Sequence, residues 1–138
     1  MEVAVNTTEA AFGPDNTPYA AIGGESGVRE LVRAFYDTME RDSPSLVALH
    51  GGNLTKSRER LFEFLSGWLG GPQLFIERHG HPRLRMRHAH VRVDDAGVEE
   101  WLRCMHSAMD ERGITGGVRA FLEARFRHTA EFMRNSDQ

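Results

Sequence analysis

Seven histidines fall at positions 50, 79, 81, 88, 90, 106 and 128, and four of them crowd into the 12-residue span from His79 to His90. Neutral imidazole is the commonest nitrogen ligand for metals, so the segment HGHPRLRMRHAHVR invites a metal-binding reading. Arg78, Arg83, Arg85 and Arg87 share that segment. Their fixed positive charge opposes a bare dication unless something anionic lies between, which disfavours a simple zinc site. The same arginines suit a ligand that carries carboxylates at one end, since guanidinium grips carboxylate in a two-pronged fork. A solvated basic loop would account for the same composition. The segment alone leaves these readings open.

Haem combines carboxylates with an iron that needs only one axial imidazole, the other histidines then being carboxylate neighbours or surface residues. Two residues elsewhere bear on it. Tyr36 sits on the apolar edge of a helical stripe, where a phenol can point inward with its hydroxyl aimed at a partner. Trp101 opens another such stripe, and an indole N–H is purely a donor. An O–H and an N–H converging in one apolar pocket would stabilise a partly negative ligand atom, such as O2 presents, while excluding water. Each is ordinary core when taken alone. Their combination with a histidine anchor is what carries information.

The elements that must position these groups read as helices. Val28, Leu31, Val32, Phe35 and Met39 recur at spacings of three and four within 25–41. Asp42-Ser43-Pro44 stops that helix, because proline cannot continue the ladder. A second stripe, Leu54, Leu61, Phe64, Leu65 and Trp68, runs from about Asn53, a suitable N-cap, to Trp68, with Lys56, Arg58, Glu59 and Arg60 on the polar side. Gly70-Gly71-Pro72 ends it. The period fails between Gln73 and Arg92. Asp94 or Asp95 then caps a third long helix with Val98, Trp101, Leu102, Met105 and Met109 inside, and a break at Gly113 to Gly117 leads to a fourth carrying Val118, Phe121, Leu122, Phe126, Thr129 and Met133. Nothing alternates at period two for long, so the chain reads as all-α.

A chain of 138 residues holds one core and one site. Its 17 basic and 20 acidic side chains leave a net charge of −3, which gives no electrostatic case for nucleic acid or an anionic membrane as partner. No stretch approaches the roughly 20 apolar residues of a membrane span. The single cysteine, Cys104, has no internal disulfide partner and is assigned no catalytic role. The N-terminus lacks a basic start followed by an apolar run, and the cytoplasm is the expected compartment.

The stretch GGPQLFIERHGHPRLRMRH, residues 70–88, followed 13 positions after His88 by Trp101 in WLRCM, resembles the group II truncated haemoglobins. The resemblance extends from about Tyr19 to Asn135. It implies a globin-like two-over-two helical sandwich around haem b, with 18–138 the globin domain; residues 1–17, which have no apolar period and carry the turn residues Gly13-Pro14-Asp15-Asn16, read as a flexible N-terminal extension. It places His88 at the proximal iron ligand, preceded by Gly80-His81-Pro82, Leu84-Arg85 and Arg87, and puts Tyr36 and Trp101 on the distal face. His50 matches a position where relatives carry phenylalanine, tyrosine or histidine, as a third distal donor, with Leu49 the alternative in a loop of variable length. Ser57 falls at a small distal gate. Leu61 stands where some relatives have glutamine, which removes one donor.

By the same resemblance Phe64, Leu65, Phe75, Met86 and Phe126 contact the macrocycle, and His81, Arg85 and Arg87 neighbour the propionates. Relatives continue after the proximal histidine with a proline and an aromatic, whereas this chain has His90-Val91. The implied function is reversible binding of O2, or of CO, NO or sulfide, by a monomer or homodimer with a reductase that keeps the iron ferrous. The alternatives are a haem redox enzyme of NO dioxygenase or peroxidase type and a haem-free helical interaction domain.

Overall fold

The computed structural model describes residues 12–13 and 15–135. Eight helices occur among them: α1 Pro18–Ala21, α2 Gly24–Asp42, α3 Pro44–Leu49, α4 Thr55–Trp68, α5 Leu74–His79, α6 Leu84–Arg87, α7 Asp95–Glu111 and α8 Gly116–Phe132. No strand is present among the described residues; the one extended pairing is an isolated bridge between Gly13 and Asn16. The four long helices follow the apolar stripes. Helix α2 packs on both α4 and α7, and α7 packs on α8, giving an all-α sandwich of two helix pairs. Its core is Leu31, Phe35 and Met39 of α2, Leu65 of α4, Leu102, Met105 and Met109 of α7 and Leu122 of α8, all essentially without solvent contact. Each such side chain contributes about 1.5–3 kcal/mol relative to exposure.

Local chemistry sets the ends. The Asp94 carboxylate accepts the Gly97 N–H at 2.8 Å and so caps α7, as expected. Helix α4 corrects the expected cap: Leu54 occupies the N-cap position, while the Asn53 side chain accepts the Thr55 N–H at 2.9 Å, an Asx-type bond just outside the helix. Thr17 caps α1, and the Tyr19 N–H reaches the Leu69 carbonyl at 2.9 Å, tying α1 to the end of α4. Gly27 has a steric reason, because a Cβ there would lie 1.9 Å from the Ile22 carbonyl oxygen.

Helices α3, α5 and α6 have six, six and four residues, too few for a stripe to declare itself, so the stretch where periodicity fails holds two helical turns. Of the N-terminal segment, residues 1–11 lie outside the described residues. The Phe12 ring meets Phe121 edge-on at 4.9 Å. Among the described residues no helix is long and apolar enough to cross a membrane.

Candidate ligand-binding site

Helix α6 ends at His88, its C-cap, and the ring turns back so that Nδ1 lies 2.7 Å from the Leu84 carbonyl. A carbonyl only accepts, so Nδ1 carries a hydrogen, and in the neutral ring Nε2 then keeps the lone pair an imidazole needs to bind a metal. The loop beyond is clasped by Asn135. Its side-chain amide donates to the carbonyls of His88 (3.3 Å) and Val91 (3.0 Å), its Oδ1 accepts the Val93 N–H (2.8 Å), and its own N–H meets the Val93 carbonyl (2.8 Å).

His88 faces a cavity of about 230 Å³ between α2, α4, α7 and α8. Leu61, Phe64, Leu65 and Trp68 of α4 form one wall, with Phe75 from α5 and Phe126 from α8. Trp68 stacks on Phe126 (5.2 Å), Phe126 meets Trp101 (5.7 Å) and Trp101 meets Phe35 (5.0 Å), a chain of rings that fixes the indole. A second cavity of about 540 Å³ adjoins it, and His50, Ser57, Arg87, His88 and Trp101 line both.

Tyr36 is 4 % exposed and Trp101 half-buried; among the described residues neither the phenol hydroxyl nor the indole N–H bonds another protein group. Burial pushes the Tyr36 phenol far above its ordinary pKa, against the pull of the nearby Arg58 guanidinium, so it stays an O–H donor at all physiological pH. Two donors without protein acceptors among the described residues, lining the same cavity as His88, suit a small ligand that accepts hydrogen bonds.

The cavity thus brings together Tyr36, His50, Ser57, Leu61, Phe64, Leu65, Phe75, Arg87, His88, Trp101 and Phe126 of the residues singled out from the sequence. Leu49 lines only the larger cavity and is 42 % exposed, whereas His50 lines both. Met86, Arg85 and His81 are not brought in. A helical turn running from 84 to 87 sends neighbouring side chains opposite ways, so Leu84 faces the cavity while Met86 is 63 % exposed. The Arg85 guanidinium lies over Phe132 at 5.6 Å, and exposed His81 accepts the Arg83 N–H at 3.1 Å.

Sequence reasoning missed Arg60, which lines the cavity mouth together with Arg87. Among the described residues neither has an ion-pair partner; Arg87 donates to the Pro82 carbonyl and lies over Phe75. The available signal was spacing, since Arg60 follows Ser57 by three residues on one helix face. The histidine cluster does not form a metal loop. His79 bonds the buried Glu63 carboxylate at 2.7 Å, and no group of three or more His, Cys, Asp or Glu among the described residues could hold a metal ion.

An all-α sandwich whose cleft offers the backbone-anchored imidazole of His88, an aromatic wall and two arginines at the mouth defines a globin-like, haem-accommodating protein. Residues 17–135 match the family of bacterial-like globins. A group 2 truncated haemoglobin of Bacillus subtilis is 39 % identical over 123 residues, covering 89 % of this chain and 92 % of that one. The crystal structure of the group II truncated haemoglobin from Bacillus anthracis superposes with a TM-score of 0.85 at 39 % identity, covering 88 % of this chain and 98 % of that one. A truncated oxygen-avid haemoglobin from Bacillus subtilis gives 0.82 at 40 %, covering 87 % and 100 %. The chain belongs to the bacterial-like globins and, within them, to the group II truncated haemoglobins. That family implies haem binding.

Proposed function

We propose that this chain holds haem b in the two adjoining cavities and binds O2 reversibly, with His88 as the proximal ligand and Tyr36 and Trp101 as the distal donors. The observation that carries the reading is the His88 ring, whose Nδ1 is committed to the Leu84 carbonyl and whose Nε2 is left for a metal beside an aromatic cavity. Haem, when bound, would supply a ferrous iron able to take up a diatomic gas. The chain's own residues do the rest. Phe64, Phe75 and Phe126 exclude water from the macrocycle's apolar faces. Arg60 and Arg87, without ion-pair partners among the described residues, would meet the two propionates. The Tyr36 hydroxyl and the Trp101 N–H donate to the partly negative ligand and slow its departure. Ser57, half-buried and shared by both cavities, is small enough to leave a side entrance. The oxygen-avid relative supports O2 as the ligand.

Titration of the purified chain with haemin tests the reading. The expected outcome is a stoichiometric Soret band that survives dialysis in the parent and is lost in His88→Gly, returning when imidazole is added. Undiminished haem retention by His88→Gly without imidazole would place the anchor elsewhere.

A further inference from the structure

His50 and His88 are built alike. Each is the C-cap of a short helix in nearly the same backbone conformation, His50 after α3 at φ −90°, ψ 11° and His88 after α6 at φ −100°, ψ 2°. Each commits Nδ1 to the carbonyl four residues back, Leu46 and Leu84, and both distances are 2.7 Å. Each is half-buried and lines both cavities. A backbone carbonyl on the far nitrogen is the support that orients a metal-bound imidazole and raises its basicity. No other histidine of the 79–90 cluster has this setting: His79 is taken by Glu63, His81 accepts a backbone N–H, and exposed His90 lines only the larger of the two cavities.

The tautomer decides what His50 can do. With the hydrogen on Nδ1, its Nε2 accepts and cannot donate, so neutral His50 does not share the ligand-stabilising task of Tyr36 and Trp101. A lone pair without a hydrogen is what a metal takes, and coordination costs no proton. Gly51 and Gly52 follow at φ +79° and +84°, and a Cβ at either would meet nothing within 4 Å, so among the described residues no side chain packs over the turn that carries His50.

The geometry points to His50 as a second axial ligand: on the haem reading above, its Nε2 occupies the sixth position opposite His88 when no external ligand is present, and an incoming gas must wait for it to leave. The apparent affinity for that gas then falls by the fraction of protein in the open form.

The test uses the full chain loaded with haemin, as parent, His50→Phe and His50→Gly, each first shown by far-ultraviolet dichroism to be folded. At neutral pH the ferric parent gives a low-spin electron paramagnetic resonance spectrum, His50→Phe keeps its haem and turns high-spin, and imidazole returns His50→Gly to low spin. In the ferrous state CO association levels off with rising CO in the parent and stays linear in His50→Phe, with a gain of about tenfold at low CO if the open form is about 10 % populated. A high-spin ferric parent indistinguishable from His50→Phe overturns the proposal and leaves haem binding standing. A low-spin spectrum that persists in His50→Phe overturns it too, by assigning the sixth ligand to another side chain. Failure of the parent to take up haemin overturns both.

Discussion

Replacing Trp101 with Phe separates donor from packing. The indole lies between Phe35 at 5.0 Å and Phe126 at 5.7 Å, and a phenyl ring keeps a partner for both. Its N–H has no protein acceptor among the described residues, so removing it orphans no buried group. The stability cost is then the smaller ring alone, about 1 kcal/mol. The functional loss is a hydrogen bond to a partly charged ligand atom, about 1–3 kcal/mol. At 1.4 kcal/mol per decade this speeds O2 dissociation about 5- to 150-fold. Stopped-flow displacement of O2 by CO measures it, and CO dissociation is the control because CO accepts hydrogen bonds poorly. An unchanged O2 rate, or an equal rise in both rates, would refute the donor role and leave Trp101 as packing. Tyr36→Phe in the same background then measures the coupling between the two donors.

Glu63 offers a second handle. Burial tends to raise its carboxyl, yet the hydrogen bonds from Arg78 (2.8 Å) and His79 (2.7 Å) outweigh that and hold it below the usual carboxylate range. A depressed carboxyl stabilises the fold above its unfolded pKa and loses that contribution as pH falls through the folded value. Glu63→Gln therefore costs about 1–3 kcal/mol at neutral pH in urea unfolding and flattens the acid limb of stability against pH; an acid limb matching the parent's would exclude the cluster. Gly27→Ala forces a Cβ against the Ile22 carbonyl and lowers the urea midpoint by the equivalent of about 1–3 kcal/mol, a midpoint equal to the parent's arguing against so tight an approach. Arg60→Gln and Arg87→Gln each weaken a mostly solvent-exposed pair worth about 0.2–1 kcal/mol, so haem transfer to apomyoglobin quickens about 1.5- to 5-fold; unaltered transfer removes that arginine from the propionates.

The long helices were legible because each carries enough turns for an apolar stripe to repeat, and Asp94 was legible as a cap because its side chain has one obvious backbone task. Helices α3, α5 and α6 were not, since one or two turns hold too few apolar positions to define a period. The same shortness misplaced Met86: in Leu84–Arg87 the sequence has no rhythm to say whether Leu84 or Met86 faces inward, and the fold chose Leu84. Tyr36 and Trp101, which both line the cavity, could be singled out because they lie on stripes. Arg60 was passed over because charge placed it on the polar side of α4, although a long side chain at a cavity mouth belongs to both sides. His50 was singled out as a donor; the Leu46 carbonyl that lies 2.7 Å from its Nδ1 is invisible in sequence.

The Asn135 clasp gives the molecule an order of assembly. The loop carrying His88 is made 47 residues before the amide that fastens it. Until residue 135 has been made, that loop lacks its four tethers, so the backbone that presents the imidazole is fastened only after α8 has been synthesised. Cutting the polypeptide just ahead of this residue would free the loop while sparing every long helix.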